Sequence, residues 1–310
     1  MSASKDRPRW SQLPPHVQQQ IGQLAGGRVT GAQNCEGGYS PGFASRLTLD
    51  GGGRAFAKAM DAVRWPFQAT MYADEARVTE RLPPGLPIPR LRGWSEDNDY
   101  VILAFDCAGG AEPSRPWRLP ELAQVAAAVS RFSQRVTPSP IALPAGQPRI
   151  GGWAELAGDA QARSRLAGLS AWAAANLDRL TRLESRGLQA ARGNTLVHFD
   201  ALPHNILCTE DQVLLVDWPH ARLGAPFIDL LMVLASAAAD GIDPEPVLRD
   251  QPVARGHSRT AINGVLAALT GFWLAGGLAD VADPALAPIY AAKLALGGGG
   301  LRWLQSRLGD

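Results

Sequence analysis

A chain of 310 residues is long enough for one large domain or two lobes around a sizeable core. Hydrophobic residues make up 46% and charged residues 19%, as in an ordinary globular protein. The formal net charge of +1 gives neither the basic field of a nucleic-acid binder nor an acidic solvating tail.

MSASKDRPRW, at the N-terminus, lacks the apolar centre of a signal peptide. The longest apolar runs, 230–239 and 265–279, fall short of the roughly 20 residues of a membrane helix. Cys35, Cys107 and Cys208 form no spacing motif, which fits a reducing compartment. The expected setting is cytoplasmic, with no nucleic-acid, membrane or obligate protein partner.

In chain order, residues 10–26 read as a short helix with Pro14 and Pro15 in its first turn. Strand patterns follow at 28–36, 43–49 and 54–60, separated by EGGYSPG and DGGG, both turn sequences. Residues 69–82 read as a helix with Met71, Glu75, Val78 and Leu82 on one stripe. Two more strands are expected at 90–95 and 99–105. A Gly/Pro-rich linker, 106–117, then separates this β-rich part from helices expected at 119–136 and 160–188. After HFDALPHN (198–205), a short strand at 213–216 ends in Asp217, and helices are expected at 225–240, 257–277 and 284–309. The expected domains are 1–105, a hinge at 106–117, and a helical lobe at 118–310. The fold class is α+β.

HFDALPHN places Asp200 and Asn205 five residues apart on a loop between apolar flanks, with Asp217 twelve residues on. Phosphoryl transfer needs such a set: a carboxylate beside the acceptor hydroxyl, and oxygen ligands for Mg2+ that leave room for phosphates. Asp200 is the expected catalytic base, and Asn205 and Asp217 are the expected metal ligands. The bland alternative is a polar loop whose Asp and Asn cap turns.

Of 30 basic residues only Lys5, Lys58 and Lys293 are lysines, so a lysine inside an apolar strand needs a reason. Lys58 is that lysine. Glu75 lies on the apolar stripe of the next helix, and a buried charge is costly unless paired. The two should therefore meet, leaving the ammonium to face nucleotide phosphates; Glu80 is the rival partner, on the wetter side of the helix. A structural ion pair is the competing reading.

Gly37, Gly38, Ser40 and Gly42 form a loop whose backbone can approach phosphate closely. Residues 38–42 also match the G-x-S-x-G elbow of hydrolases, but Pro41 lacks the N–H that an oxyanion hole needs there. A metal-hydrolase site built from His198, Asp200, His204, Asp217 and His220 would leave Lys58 and Glu75 without a role. The backbone of Ala104, Phe105, Asp106 and Cys107, where strand runs into linker, is expected to meet the nucleotide base. Asp229, in an apolar helix, is expected to accept hydrogen bonds from the backbone of the 198–205 loop.

These elements resemble the aminoglycoside phosphotransferase-like kinases. HFDALPHN resembles the family's H-x-D-x-x-x-x-N catalytic loop, with His198 supporting it. Val216-Asp217-Trp218 resembles the metal-binding element, Asp229-Leu230 the buried aspartate that follows, and Lys58 with Glu75 the strand-lysine and helix-glutamate pair. Phe199 departs from the pattern where Gly is frequent. Pro219 stands where protein kinases have Gly, and no activation segment separates Asp217 from Asp229.

The resemblance implies a bilobal protein-kinase-like fold: a small antiparallel β-sheet lobe with one key helix, and a larger, mainly helical lobe. It implies transfer of the γ-phosphoryl group of ATP or GTP, with Mg2+, to a hydroxyl of a small molecule. An aminoglycoside or related antibiotic is the first expectation, since antibiotic modification is the family's best-known use. A non-antibiotic metabolite, or a catalytically silent nucleotide-binding protein, is the alternative. A polycationic acceptor would need acids, and Glu155, Asp159, Asp240, Asp243, Glu245 and Asp250 are the scattered candidates.

Overall fold

The computed structural model describes residues 7–35, 40–143, 150–281 and 287–309. Two compact units emerge: Met1–Glu112 with His204–Ala221, and Pro113–Pro203 with Arg222–Asp310. Residues 204–221 thus belong to the first unit, although the sequence reading kept all of 118–310 in the second lobe. The division falls inside HFDALPHN.

The first unit opens with a 3-10 turn, Trp10–Gln12, and then α1, Pro15–Ala25. One helix over 10–26 is not formed, because Pro14 takes an extended ψ of 145° and Pro15 starts a new helix at its first position. Gly26, at φ 89°, ends α1 in the left-handed conformation that glycine tolerates. Strands β1 (Val29–Asn34), β2 (Phe43–Leu49) and β3 (Arg54–Asp61) follow, then α2 (Pro66–Thr79), β4 (Leu91–Glu96) and β5 (Tyr100–Asp106). They form one antiparallel sheet in the order β1-β2-β3-β5-β4.

The period-2 alternation of β3 decides which side chains face which helix. Ala55, Ala57 and Ala59 pack with Phe43 and Leu47 against Val17, Ile21 and Ala25 of α1. On the other face, Met60, Leu103 and Phe105 pack against Ala69, Ala73 and Ala76 of α2. Lys58, two residues before Met60, is therefore on the α2 side. A short hairpin of strands Ile206–Cys208 and Val213–Leu215 completes this unit. It is tied in by a bridge from Ala111 to Cys208 and by the Leu215 amide, which donates to the Pro87 carbonyl at 3.1 Å.

The second unit is mainly helical: α3 (Leu119–Arg135), α4 (Trp153–Gly158), α5 (Ala160–Leu169), α6 (Ala171–Ala175), α7 (Leu177–Ala190), α8 (Ile228–Ala239), α9 (Glu245–Asp250), α10 (Pro252–Arg255), α11 (Arg259–Leu278) and α12 (Ala287–Leu308). The single helix expected over 160–188 is three helices. Ser170 caps α6 by accepting from the Ala173 amide, and Asn176 leaves helical geometry at φ −108°. α7 and α12 pack on α11, and Gly187 of α7 meets the backbone of Gly264 of α11, so a Cβ at Gly187 would collide. Strand Thr195–Val197 pairs with Arg222–Gly224. α11 extends the apolar run of 265–279 back to Arg259, and at 20 residues it is long and apolar enough to cross a membrane by length and composition. Its apolar window is 78% buried inside the protein, which makes it a core helix here.

Candidate active site

In the first unit, Lys58 and Glu75 meet: the ammonium donates to Glu75 Oε2 at 2.8 Å and to Oε1 at 3.0 Å. It also donates to Asp217 Oδ1 at 2.7 Å, a contact the sequence reading did not anticipate. Glu80, the rival, is exposed. Burial alone would push the lysine pKa down, but Asp217 and Glu75 more than offset it and carry it well above the usual lysine value. Burial pushes the Glu75 carboxyl up, to about 7, against the charge of Lys58, and Asp217 adds to the rise. The cluster is one cation shared by two carboxylates. The lysine stays charged and the excess negative charge bears on Glu75.

These groups line a cavity of about 200 Å³ within the first unit. Its walls include Ser40, Ala44, Phe56, Phe105, Asp106, Cys107, Asn205, Leu207, Val216 and Asp217. The face of α2 toward it is Tyr72, Glu75 and Thr79, at i, i+3 and i+7. Of the expected stripe, Glu75 and Val78 are buried, whereas Met71 is only half-buried and Leu82 lies past the helix end.

Ala104 and Phe105 are strand residues, and Phe105 lines the cavity. Both lie inside β5, flanked by β3 and β4, and the Asp106 amide donates to the Arg90 carbonyl at 2.9 Å. Cys107, also a cavity residue, is the first position past the strand. The Asp106 carboxylate is held below its usual range: burial opposes this, but hydrogen bonds from Arg92 and Arg90 prevail. Gly37 and Gly38 lie outside the described residues, whereas Ser40 lines the cavity and Gly42 follows it.

The hairpin register pairs Ile206 with Leu215 and so brings Asn205 and Asp217 to the same end. The Val216 amide donates to the Asn205 carbonyl at 3.0 Å, and Asp217 sits at φ 69°, a left-handed conformation costly for a residue with a Cβ. An amide oxygen and a carboxylate are hard donors that fit Mg2+. Among the described residues no group of three or more His, Cys, Asp or Glu side chains is placed to hold a metal, which leaves the metal-hydrolase alternative without a ligand set.

Sequence reasoning missed Phe56 and Leu207 and gave Val216 no role of its own; all three are apolar walls. Each stands next to a residue it did single out: Phe56 two before Lys58 on the same strand face, Leu207 two after Asn205, and Val216 just before Asp217. Strand alternation was the signal that could have found Phe56.

In the second unit, Asp229 near the start of α8 is 4% exposed and faces the backbone of the catalytic-type loop. Its Oδ2 accepts from the His198 amide at 2.8 Å and its Oδ1 from the Phe199 amide at 3.0 Å. Burial raises this carboxyl to about 7, against the pull of the two amides. Phe199 sits at φ 61°, so the position where the resembled pattern has Gly is indeed a left-handed one. His198 is fully buried, and its Nδ1 accepts from the Asp200 amide at 3.2 Å. The Leu202 amide donates to the Asp200 carbonyl at 2.8 Å.

The model of the phosphotransferase enzyme family matches residues 32–260, well over half of the chain. The chain belongs to that family. No curated protein matches it. Among solved structures, an amicoumacin kinase in complex with AMP-PNP, Ca2+ and Ami is similar, with a TM-score of 0.58 and 12% identity over 94% of this chain and 92% of that one. The gentamicin complex of APH(2")-IIa has a TM-score of 0.51 and 11% identity, over 96% of this chain and 97% of that one. The macrolide 2'-phosphotransferase MphH from Brachybacterium faecium has a TM-score of 0.50 and 16% identity, over 91% and 98%. At such identities the likeness is one of fold, and the fold is the kinase-like one of this family. As a member of the phosphotransferase enzyme family, the chain is an enzyme that phosphorylates hydroxyl groups of small molecules.

Proposed function

We propose that this phosphotransferase moves the γ-phosphoryl group of ATP or GTP, held with Mg2+, to a hydroxyl of a small molecule. The observation that carries the reading is the Lys58 ammonium, kept charged between Glu75 and Asp217 on the wall of a cavity whose other walls include Phe56, Phe105, Leu207 and Val216. Lys58 binds the α- and β-phosphates, and Glu75 fixes the lysine. Ser40 and Gly42, with Gly37 and Gly38, approach the phosphates, and the chain from Asp106 to Cys107 meets the base. Asn205 and Asp217 would hold Mg2+, which would supply positive charge to the transferring group. Asp200 receives the acceptor's proton and orients its hydroxyl. His198 and Asp229 support the loop that carries Asp200. The three free cysteines suit the reducing cytoplasm.

For the acceptor, an aminoglycoside or related antibiotic is the reading that family membership suggests. A structural observation favours a second one. Of six acids that could meet a polycation, two are ion-paired in the second unit and two are engaged by backbone amides. Asp240 binds Arg115 and the Trp117 amide, Glu245 binds Arg307 and Trp303, Asp159 caps α5, and Asp243 accepts from the Glu245 amide. An acceptor with little positive charge, antibiotic or metabolite, does not need the charge of Asp240 and Glu245, which Arg115 and Arg307 already balance.

The test is a panel of aminoglycosides, macrolides and neutral polyols, incubated with the protein, Mg2+ and ATP or GTP, and read for phosphate incorporation. A phosphorylated product is expected. In Asp200→Asn, kcat for that product should fall by roughly two to four orders of magnitude with nucleotide affinity nearly unchanged. AMP-PNP binding without turnover of any acceptor would instead favour a silent nucleotide-binding protein, and near-wild-type chemistry in Asp200→Asn would remove Asp200 from the mechanism.

A further inference from the structure

We infer that Tyr72 is a positioning residue of the nucleotide pocket, whose hydroxyl holds Ser40 in place so that one helix, α2, serves both the lysine and the phosphate side. The inference rests on the reading of the cavity as a nucleotide site. Tyr72 stands one turn before Glu75 on the face of α2 that lines the cavity. Its Oη lies 2.8 Å from Ser40 Oγ, and the Gly42 amide donates to the same Oγ at 3.4 Å. Ser40 is thereby tied to the helix and to the turn that leads into β2.

The packing leaves this arm of the chain little freedom. A Cβ at Gly42 would come within 2.7 Å of both the Ala59 carbonyl oxygen and Met60 Cε, and within 3.0 Å of Tyr72 Oη. The Lys58 ammonium lies 5.5 Å from the centre of the Tyr72 ring, a favourable place for a cation. Tyr72 is 6% exposed, and its ring packs in the apolar cluster with Met60, Ala69, Ala73 and Ala76. A phenylalanine would fill that space equally well. A buried hydroxyl is costly unless it is bonded, and its bond here goes to a cavity-lining serine. Burial also pushes the phenol pKa up, so the hydroxyl keeps its proton.

A residue that acts through Ser40 should matter for phosphates and not for the base. Tyr72→Phe keeps the ring and should weaken AMP-PNP binding, measured by calorimetry with Mg2+, roughly 3- to 10-fold, the range of one lost hydrogen bond. Adenosine affinity should be unchanged. Ser40→Ala should cost at least as much, and the double variant should be no worse than Ser40→Ala alone, because Tyr72 acts only through the bond that Ser40→Ala already removes. Equal weakening of adenosine and AMP-PNP would show a merely structural tyrosine and overturn the inference. So would additive effects, or wild-type AMP-PNP binding in Tyr72→Phe and Ser40→Ala. A wild-type protein that bound no AMP-PNP would overturn the nucleotide reading itself, and this inference with it.

Discussion

Around Lys58, buried charge is balanced by other side chains: one ammonium is shared between Glu75 and Asp217. Around Asp229, a buried carboxylate instead faces backbone, and it gathers the amides of His198 and Phe199, with Phe199 in a left-handed conformation. The difference teaches what each region is sensitive to. A side-chain cluster can lose one member and rearrange, because a carboxyl near neutrality can take up a proton. Backbone amides have no such recourse, and without their acceptor they are left unpaired. Damage at Lys58 should therefore appear as lost chemistry, and damage at Asp229 as lost stability.

The largest expected effect is at Lys58. In Lys58→Met, nucleotide-dependent turnover should fall by roughly two to three orders of magnitude, as when one charge-stabilising donor is removed from a reacting phosphoryl group. The thermal midpoint should move by only a few degrees, since Glu75, with a pKa of about 7, can become neutral when its cation goes. Full turnover per folded molecule with a collapsed midpoint would invert the comparison and make the pair a structural strut.

Asp229→Ala comes next, with the opposite signature. Removing the acceptor of one buried and one part-buried amide should cost on the order of 2–4 kcal/mol in urea unfolding. A loss under about 0.5 kcal/mol, the range of surface substitutions, would mean that the loop holds its shape without this carboxylate.

Much of this contrast was legible in the sequence. Lys58 and Glu75 could be paired because two charges on apolar elements demand each other, and strand alternation fixed which face the lysine takes. The catalytic-type loop was readable because Asp200, Asn205 and Asp217 lie close along the chain. Less legible was anything set by three-dimensional competition. Asp217 reaches Lys58 across 159 positions, which no local pattern encodes. On α2 the expected Glu75 and Val78 are buried, but small residues, Ala69, Ala73 and Ala76, share its packed face where the larger Met71 was expected. The break at Ser170 was missed because a serine capping a new helix also fits the polar face of a continuous one. The end of the last sheet strand was legible only to within a residue, since β5 runs to Asp106 and the linker was expected to start there.

The smallest effect concerns the charge on Asp229 and sharpens the contrast by pH. Burial lifts its folded pKa to about 7 from an ordinary value of 3.8. Between those values the folded protein holds a proton that the unfolded chain releases. The group's stabilising contribution is therefore full below about pH 3.8, and it is lost as pH rises toward and through 7. In Asp229→Asn the titration disappears, and what remains is a constant offset from an amide that can accept from one backbone N–H but not from both. The difference in thermal midpoint between wild type and Asp229→Asn cancels every other titrating group that the substitution leaves alone. It should be greatest near pH 4 and should shrink steadily up to about pH 7.5. A difference that stays constant over this range would mean that the amides of His198 and Phe199 outweigh burial and keep the carboxylate ionised throughout, so that Asp229 acts as a fixed anion beneath the loop.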